Sequence, residues 1–311
     1  VTPDLSLIDD FLRDRFATDN PLITEAVRRM LAAGGKRLRP RVLLLAAQAC
    51  GADPRDHLEL AAYIELIHVA TLIHDDVVDN AQTRRGVNAT AVDYGNRISV
   101  LAGDYLFAWI FKNVTAKYAP PIPQILSATL ADICDGEVLQ LRARGDLHLS
   151  MERYLEIARK KTASLFAAAA ECGARAAGAG ETAARALRAF GEAFGIAFQV
   201  LDDVLDLTGD ERTLGKPVGN DLVERKVTAP MILALESGDT DVRALLERLY
   251  TGGDGALEVP QVAAALARSA GPGRALATLA RFTEAAKHAL APLGESTAVA
   301  GLRLLADGLG A

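Results

Sequence analysis

The sequence is short of cysteine, of aromatic residues and of basic excess, and each shortage removes a class of protein. Three cysteines, Cys50, Cys134 and Cys172, are scattered over 311 residues. They are odd in number and no pair has metal-ligand spacing, so they offer neither a disulfide framework nor a thiolate zinc site. They read as reduced core residues. Aromatic residues make up only 5% of the chain and β-branched residues are sparse, which disfavours strand. A formal net charge of −6 leaves no basic footprint for general nucleic-acid binding, although a local basic site for a small polyanion stays open. No apolar run approaches the ~20 residues of a membrane-spanning helix. The opening stretch VTPDLSLIDDFL lacks the basic start and apolar centre of a signal peptide. The expectations are no nucleic-acid partner, no transmembrane segment and a cytoplasmic location.

Ala and Leu are abundant instead, and the hydrophobic content of 50% is enough for a sizeable, helical core. Gly, Pro and Asp clusters cut the chain, for example at 33–40, 50–56, 119–123, 144–150, 208–221 and 251–260. Most segments between cuts are longer than strands and carry helical periodicity. Ser150 before MERYLEIA and Ser296 before the last segment are helix-start signals. No linker divides the chain, so one all-α domain over residues 1–311 is expected, with roughly ten or more helices. Two segments stand out. HLELAAYIELIHVATLIH (57–74) is apolar on nearly every face, and RAFGEAFGIAFQVLDDVLD (188–206) is its counterpart; both should be surrounded by other helices.

Each of these segments leads into the pattern D-D-x-x-D: Asp75, Asp76 and Asp79 in the first, Asp202, Asp203 and Asp206 in the second. On a helix the outer two carboxylates share a face, about one turn apart. Their repulsion and desolvation must be offset by protonation or by cations. Oxygen-only donors favour Mg²⁺, which keeps waters and binds through one or two carboxylates plus substrate phosphates. The EF-hand, His-rich zinc and Glu-x-x-His di-iron patterns are absent. One such cluster would be an ordinary solvated helix end; two of equal spacing, each closing an apolar helix, point to metal. Basic residues gather at the breaks: Lys36, Arg37 and Arg39 in GGKRLRP, Arg84 and Arg85 after the first cluster, Lys161 beside Thr162, Lys216 after the second cluster, and Lys226. Glycines in GGKRLRP free the backbone to let basic groups converge on a phosphate, although the spacing is not that of a Walker A loop. Together, acids and bases suggest one Mg²⁺-bridged diphosphate and one metal-free diphosphate.

GGKRLRP, LIHDDVVDNAQTRRG, LAGDYL, GEVLQL, Lys161–Thr162 and FQVLDDVLDLTGDERTLGKPVGNDL occur in this order between residues 30 and 235. This ordered set resembles the trans-isoprenyl diphosphate synthases, the polyprenyl synthetases, with a medium- or long-chain product. The resemblance implies a single domain of antiparallel helices around a deep central cavity, usually a homodimer. It implies Mg²⁺-dependent condensation of an allylic diphosphate primer with isopentenyl diphosphate. By the same resemblance, Asp75, Asp79, Asp202 and Asp206 would hold the metal on the allylic diphosphate, with Gln140 in support. Arg84, Lys161, Lys216 and Lys226 would hold that diphosphate, and Lys36, Arg39, His68 and Arg85 the isopentenyl diphosphate. Thr162 and Gln199 would place dipoles near the developing cation. In this family bulky residues shortly before the first cluster act as a floor; here Ala70 and Thr71, the former about 7.5 Å before Asp75 at the helical rise, imply a product of about thirty carbons or longer. A geranylgeranyl or farnesyl product, a terpene cyclase and a non-catalytic partner subunit are the alternatives. GGKRLRP, His68 and Arg85 speak against a cyclase, and the two intact acidic clusters against a non-catalytic subunit. His74 reads as structural. Arg225 departs from the family, which commonly has glycine there, and could crowd Lys226 or add a phosphate contact.

Overall fold

The computed structural model of the chain describes residues 6–16, 18–32, 34–84, 86–209, 219–252 and 255–310. The helices are α1 (Ser6–Arg15), α2 (Pro21–Ala32), α3 (Leu38–Ala49), α4 (Leu58–Val78), α5 (Thr90–Lys117), α6 (Ile122–Arg142), α7 (Met151–Ala158), α8 (Ser164–Ala176) and α9 (Glu181–Thr208). They continue as α10 (Asn220–Val223), α11 (Ala229–Glu236), α12 (Thr240–Thr251), α13 (Gly255–Arg268), α14 (Gly271–Ala289) and α15 (Thr297–Asp307). A π-helical turn, Arg159–Ala163, joins α7 to α8. Among the described residues the only strands form a two-residue antiparallel ribbon, β1 (Thr83–Arg84) with β2 (Val87–Asn88). The all-α expectation holds, and this ribbon is the one departure. Among the described residues no helix is long and apolar enough to cross a membrane.

The chain forms two compact units that alternate along the sequence. The first comprises 1–128, 165–191 and 290–302, the second 129–164, 192–289 and 303–311. Both α6 and α9 have residues in each unit.

The first unit is built around α4. Every residue from Leu60 to Ile67 is buried, which only a helix enclosed on all sides allows. Its neighbours are α1, α2, α3 and α5. An Asx-type start precedes it: Asp53 accepts the Arg55 N–H at 2.9 Å and opens a short 3₁₀ turn, Pro54–His57. Glycine permits close approach elsewhere in this unit. A Cβ on Gly173 of α8 would lie 2.3 Å from the Leu43 carbonyl oxygen of α3. His74 sits near the end of α4. Its Nε2 lies 3.1 Å from the Val100 carbonyl oxygen, and Gly103 in LAGDYL leaves room for its ring.

In the second unit α7 and α14 pack against α11, whose residues Ala229 to Leu235 are all buried. Ser150 caps α7 by accepting the Arg153 N–H at 3.2 Å, as its sequence position predicts. Cys172 is buried, but Cys50 is half-buried and Cys134 exposed, so the core assignment of the cysteines holds only for Cys172.

Candidate active site

Helix α4 ends in the first acidic cluster. Asp75 lies in its last turn, and Asp79 is the C-terminal cap, its N–H donating to the Asp75 carbonyl at 2.8 Å. Both are half-buried. The cluster therefore occupies the negative end of the helix dipole, where anionic side chains are disfavoured. The second cluster repeats this at the end of α9. Asp76, between the first pair, turns inward and is fully buried. It accepts from Arg84 Nε at 2.8 Å. Burial pushes its carboxyl up, and Arg84 opposes the shift. Asp76 thus anchors the ribbon that carries Arg84, and part of the Arg84 guanidinium is committed to it. Arg85 lies outside the described residues.

GGKRLRP makes the turn into α3. Gly34 has φ 71°, and Arg37 itself adopts a left-handed φ of 47°. The Arg37 side chain is 6% exposed. Its Nε donates to Asp9 and its NH1 to Glu65, each at 2.8 Å, and its NH2 to the Leu31 carbonyl at 3.2 Å. Among the three basic residues of this motif, Arg37 is therefore an internal clamp. Lys36 beside it is exposed. Arg39 places its guanidinium 4.5 Å from the centre of the Phe166 ring, a cation–π contact that orients it. Glu65 precedes His68 by three residues on α4, so the clamp ties the loop to the helix that carries His68. His68 is half-buried, Ala70 fully buried and Thr71 half-buried, its hydroxyl donating to the His68 carbonyl at 2.8 Å.

In the second unit the π-helical turn carries Lys161 and Thr162. Such turns widen a helix locally and re-aim its side chains. Gly136, the glycine of GEVLQL, makes room for it: a Cβ there would sit 2.6 Å from the Lys161 backbone nitrogen. Lys161 donates to Gln140 Oε1 at 2.7 Å and pairs with Glu137. The motif thus supplies space, a countercharge and an acceptor for one ammonium group.

Thr162 Oγ1 donates to Gln199 Oε1 at 2.6 Å, and Gln199 Nε2 donates to Asp203 Oδ1 at 2.8 Å. Tyr154 O–H donates to Asp203 Oδ2 at 2.6 Å, and the Ala229 N–H approaches the same oxygen at 3.4 Å. Asp203 is 2% exposed. Burial pushes its carboxyl up to about 7, against the hydrogen bonds from Tyr154 and Gln199, and Asp202 adds to the rise. Burial, with Asp203 nearby, holds the Tyr154 phenol well above its usual value, so it keeps its proton. Asp202 is exposed. Asp206 is fully buried, and its Oδ2 accepts the Asp221 N–H at 3.1 Å. Burial and then Asp206 raise the Asp221 carboxyl well above the carboxylate range, so the second cluster has a fourth acid that sequence spacing did not reveal.

Lys226 pairs with Glu224. Arg225 has a left-handed φ of 57°, a backbone shape that favours glycine. Its guanidinium lies 5.3 Å from the Tyr250 ring centre. Lys216 lies outside the described residues. Among the described residues no three His, Cys, Asp or Glu side chains converge into a metal site. The donors available are carboxylate oxygens in pairs, a set that fits Mg²⁺ only if water and phosphate complete its shell.

The polyprenyl synthetase family model matches residues 20–267. The chain is 37% identical over 306 residues to heptaprenyl diphosphate synthase component 2 of Geobacillus stearothermophilus, covering 98% of this chain and 95% of that protein. It is 42% identical over 219 residues to a geranylgeranyl diphosphate synthase of Methanosarcina mazei, covering 69% and 68%. Among solved structures, a polyprenyl synthase from Caulobacter crescentus complexed with calcium and isoprenyl diphosphate superposes with a TM-score of 0.92 at 38% identity, over 99% of this chain and 94% of that one.

Proposed function

This chain belongs to the polyprenyl synthetase family, and from that premise we propose that it is a prenyltransferase that extends a trans-polyprenyl diphosphate, joining an allylic diphosphate to isopentenyl diphosphate. The observation that carries this reading is the pair of acidic clusters at the negative ends of α4 and α9, an arrangement that calls for cations.

Asp75 and Asp79 on one helix and Asp202 and Asp206 on the other are the carboxylates proposed to hold Mg²⁺; Asp206 Oδ2 also accepts the Asp221 N–H. Bound there, Mg²⁺ would act as a Lewis acid on the departing diphosphate. Lys161, held by Gln140 and Glu137, adds fixed positive charge to the same leaving group, as do Arg84, Lys216 and Lys226. Lys36, Arg39, His68 and Arg85 take isopentenyl diphosphate without metal. Holding its double bond close to the ionising carbon supplies the proximity that the second step needs. Ionisation breaks the allylic C–O bond, the double bond attacks the cation, and a proton of the new cation passes to the released diphosphate.

The small side chains of Ala70, about 7.5 Å before Asp75 at the helical rise, and Thr71 stand where the resemblance places a bulky floor in short-chain members, and they support a product of about thirty carbons or longer. The relatives above span heptaprenyl and geranylgeranyl products, so length is the finer part of the proposal. A single catalytic domain, a homodimer and a cytoplasmic location complete the reading. The test is incubation of purified protein with Mg²⁺, labelled isopentenyl diphosphate and primers of increasing length, followed by chromatography of the products. Long polyprenyl diphosphates are expected; absence of condensation with every primer overturns the proposal. Size-exclusion chromatography with light scattering tests the homodimer, and a monomeric active species overturns that part.

A further inference from the structure

Within the second unit, Tyr154, Asp203, Gln199 and Thr162 form one unbroken hydrogen-bonded series. Its atoms give it a polarity: the Gln199 amide nitrogen donates to Asp203 Oδ1, an acceptor, at 2.8 Å. The amide oxygen is thereby turned to Thr162, and it too only accepts. Thr162 Oγ1, 2.6 Å away, therefore spends its single proton on Gln199. What Thr162 retains is lone pairs. Tyr154 acts on the far side of Asp203: its O–H takes Oδ2, leaving Oδ1 to Gln199.

We propose that Tyr154 and Asp203 are positioning residues that hold the Thr162 hydroxyl and the Gln199 carbonyl as acceptors only. Electron-rich oxygens then meet the carbon that becomes cationic as the allylic diphosphate leaves. A hydroxyl with a free proton would rotate toward the nearest anion, here a diphosphate. One whose proton is already committed keeps its negative end available, and it does so before the reaction starts. The inference rests on the prenyl-transfer reading above and adds to it the sign of the dipole and the two residues that set it. Nothing in the spacing of Tyr154, forty-nine residues before Asp203, announces this role.

The test is a double-mutant cycle on single-turnover condensation rates, using Tyr154→Phe, Thr162→Val and both together. Tyr154→Phe keeps the ring and removes only the donor. It should lower the condensation rate about tenfold, the scale of one mispositioned dipole at the transition state. The KM for each diphosphate, and calorimetric binding of a non-ionising allylic thiolodiphosphate, should stay within about twofold, because the series acts on the developing charge and not on the ground state. In the Thr162→Val background only the Gln199 carbonyl is left to orient, so the loss on Tyr154→Phe should shrink to about threefold or less. An equal loss in both backgrounds overturns the inference, and so does a loss confined to KM or to analogue binding. Circular dichroism confirms that the variant folds; Gln199→Met, which cuts the series at its middle, carries the same cycle if it does not. Additivity in an active wild type defeats the inference alone. A wild type that condenses no primer defeats prenyl transfer and the inference with it.

Discussion

Arg37 and Lys36 are adjacent, both basic and both in a glycine-rich turn, yet one is sealed inside and the other faces water. Sequence could group them but not separate them, because separation depends on Glu65 and Asp9, each twenty-eight residues away. Removing Arg37 would leave Glu65 as a buried carboxylate without its partner. Arg37→Met should therefore cost about 3–5 kcal/mol of unfolding free energy in urea titration. Arg37→Met combined with Glu65→Met should recover most of that loss, since two apolar groups replace the pair. The same limit applies to the acidic clusters. Their spacing revealed six aspartates but not that the middle member of each, Asp76 and Asp203, points inward to a protein partner. Helical geometry places Asp75, Asp79 and Asp202 with some exposure, but spacing did not show that Asp206 is fully buried or that Arg84 and Tyr154 reach Asp76 and Asp203 from other elements.

Among the elements, α4 was the most legible. A segment apolar on all faces has one stable place, enclosed by other helices, and its observed span Leu58–Val78 follows. The ribbon at Thr83–Arg84 and Val87–Asn88 was not visible, since two-residue strands are too short to carry an alternation to read. The π-helical turn at Arg159–Ala163 was equally hidden, although Gly136 left a trace of it in GEVLQL. That glycine gives a prediction at this scale. A methyl on residue 136 would meet the Lys161 backbone, which cannot swing aside as a side chain can. Gly136→Ala should destabilise the fold by about 1–3 kcal/mol through overpacking. It should also raise KM for the allylic diphosphate in steady-state assays, because the displaced turn carries Lys161. Helix α4 gives another. Ala70→Phe should shorten the product, read as a shift to earlier-eluting prenyl alcohols after dephosphorylation; an unchanged length distribution would remove Ala70 from the floor.

For the whole molecule, the buried acids make stability depend on pH in an uncommon direction. The Asp203 carboxyl is raised to about 7 in the folded protein, and Asp221 is raised as well. A carboxyl raised on folding lends stability that is complete below its unfolded value near pH 4 and is lost as pH climbs through the folded value. The metal-free protein should therefore melt at lower temperature as pH rises from about 5 to about 8. Millimolar Mg²⁺ should flatten that decline, because a cation favours the ionised carboxylates; differential scanning fluorimetry across both series checks it. The bond from Arg37 to Asp9 has a consequence of its own. It makes the leading helix a brace for the turn that bears Lys36, so shaving off residues before Phe16 should do more than lower expression yield. Such a shortened enzyme should need more isopentenyl diphosphate to reach half-speed, while its appetite for the primer stays nearly the same.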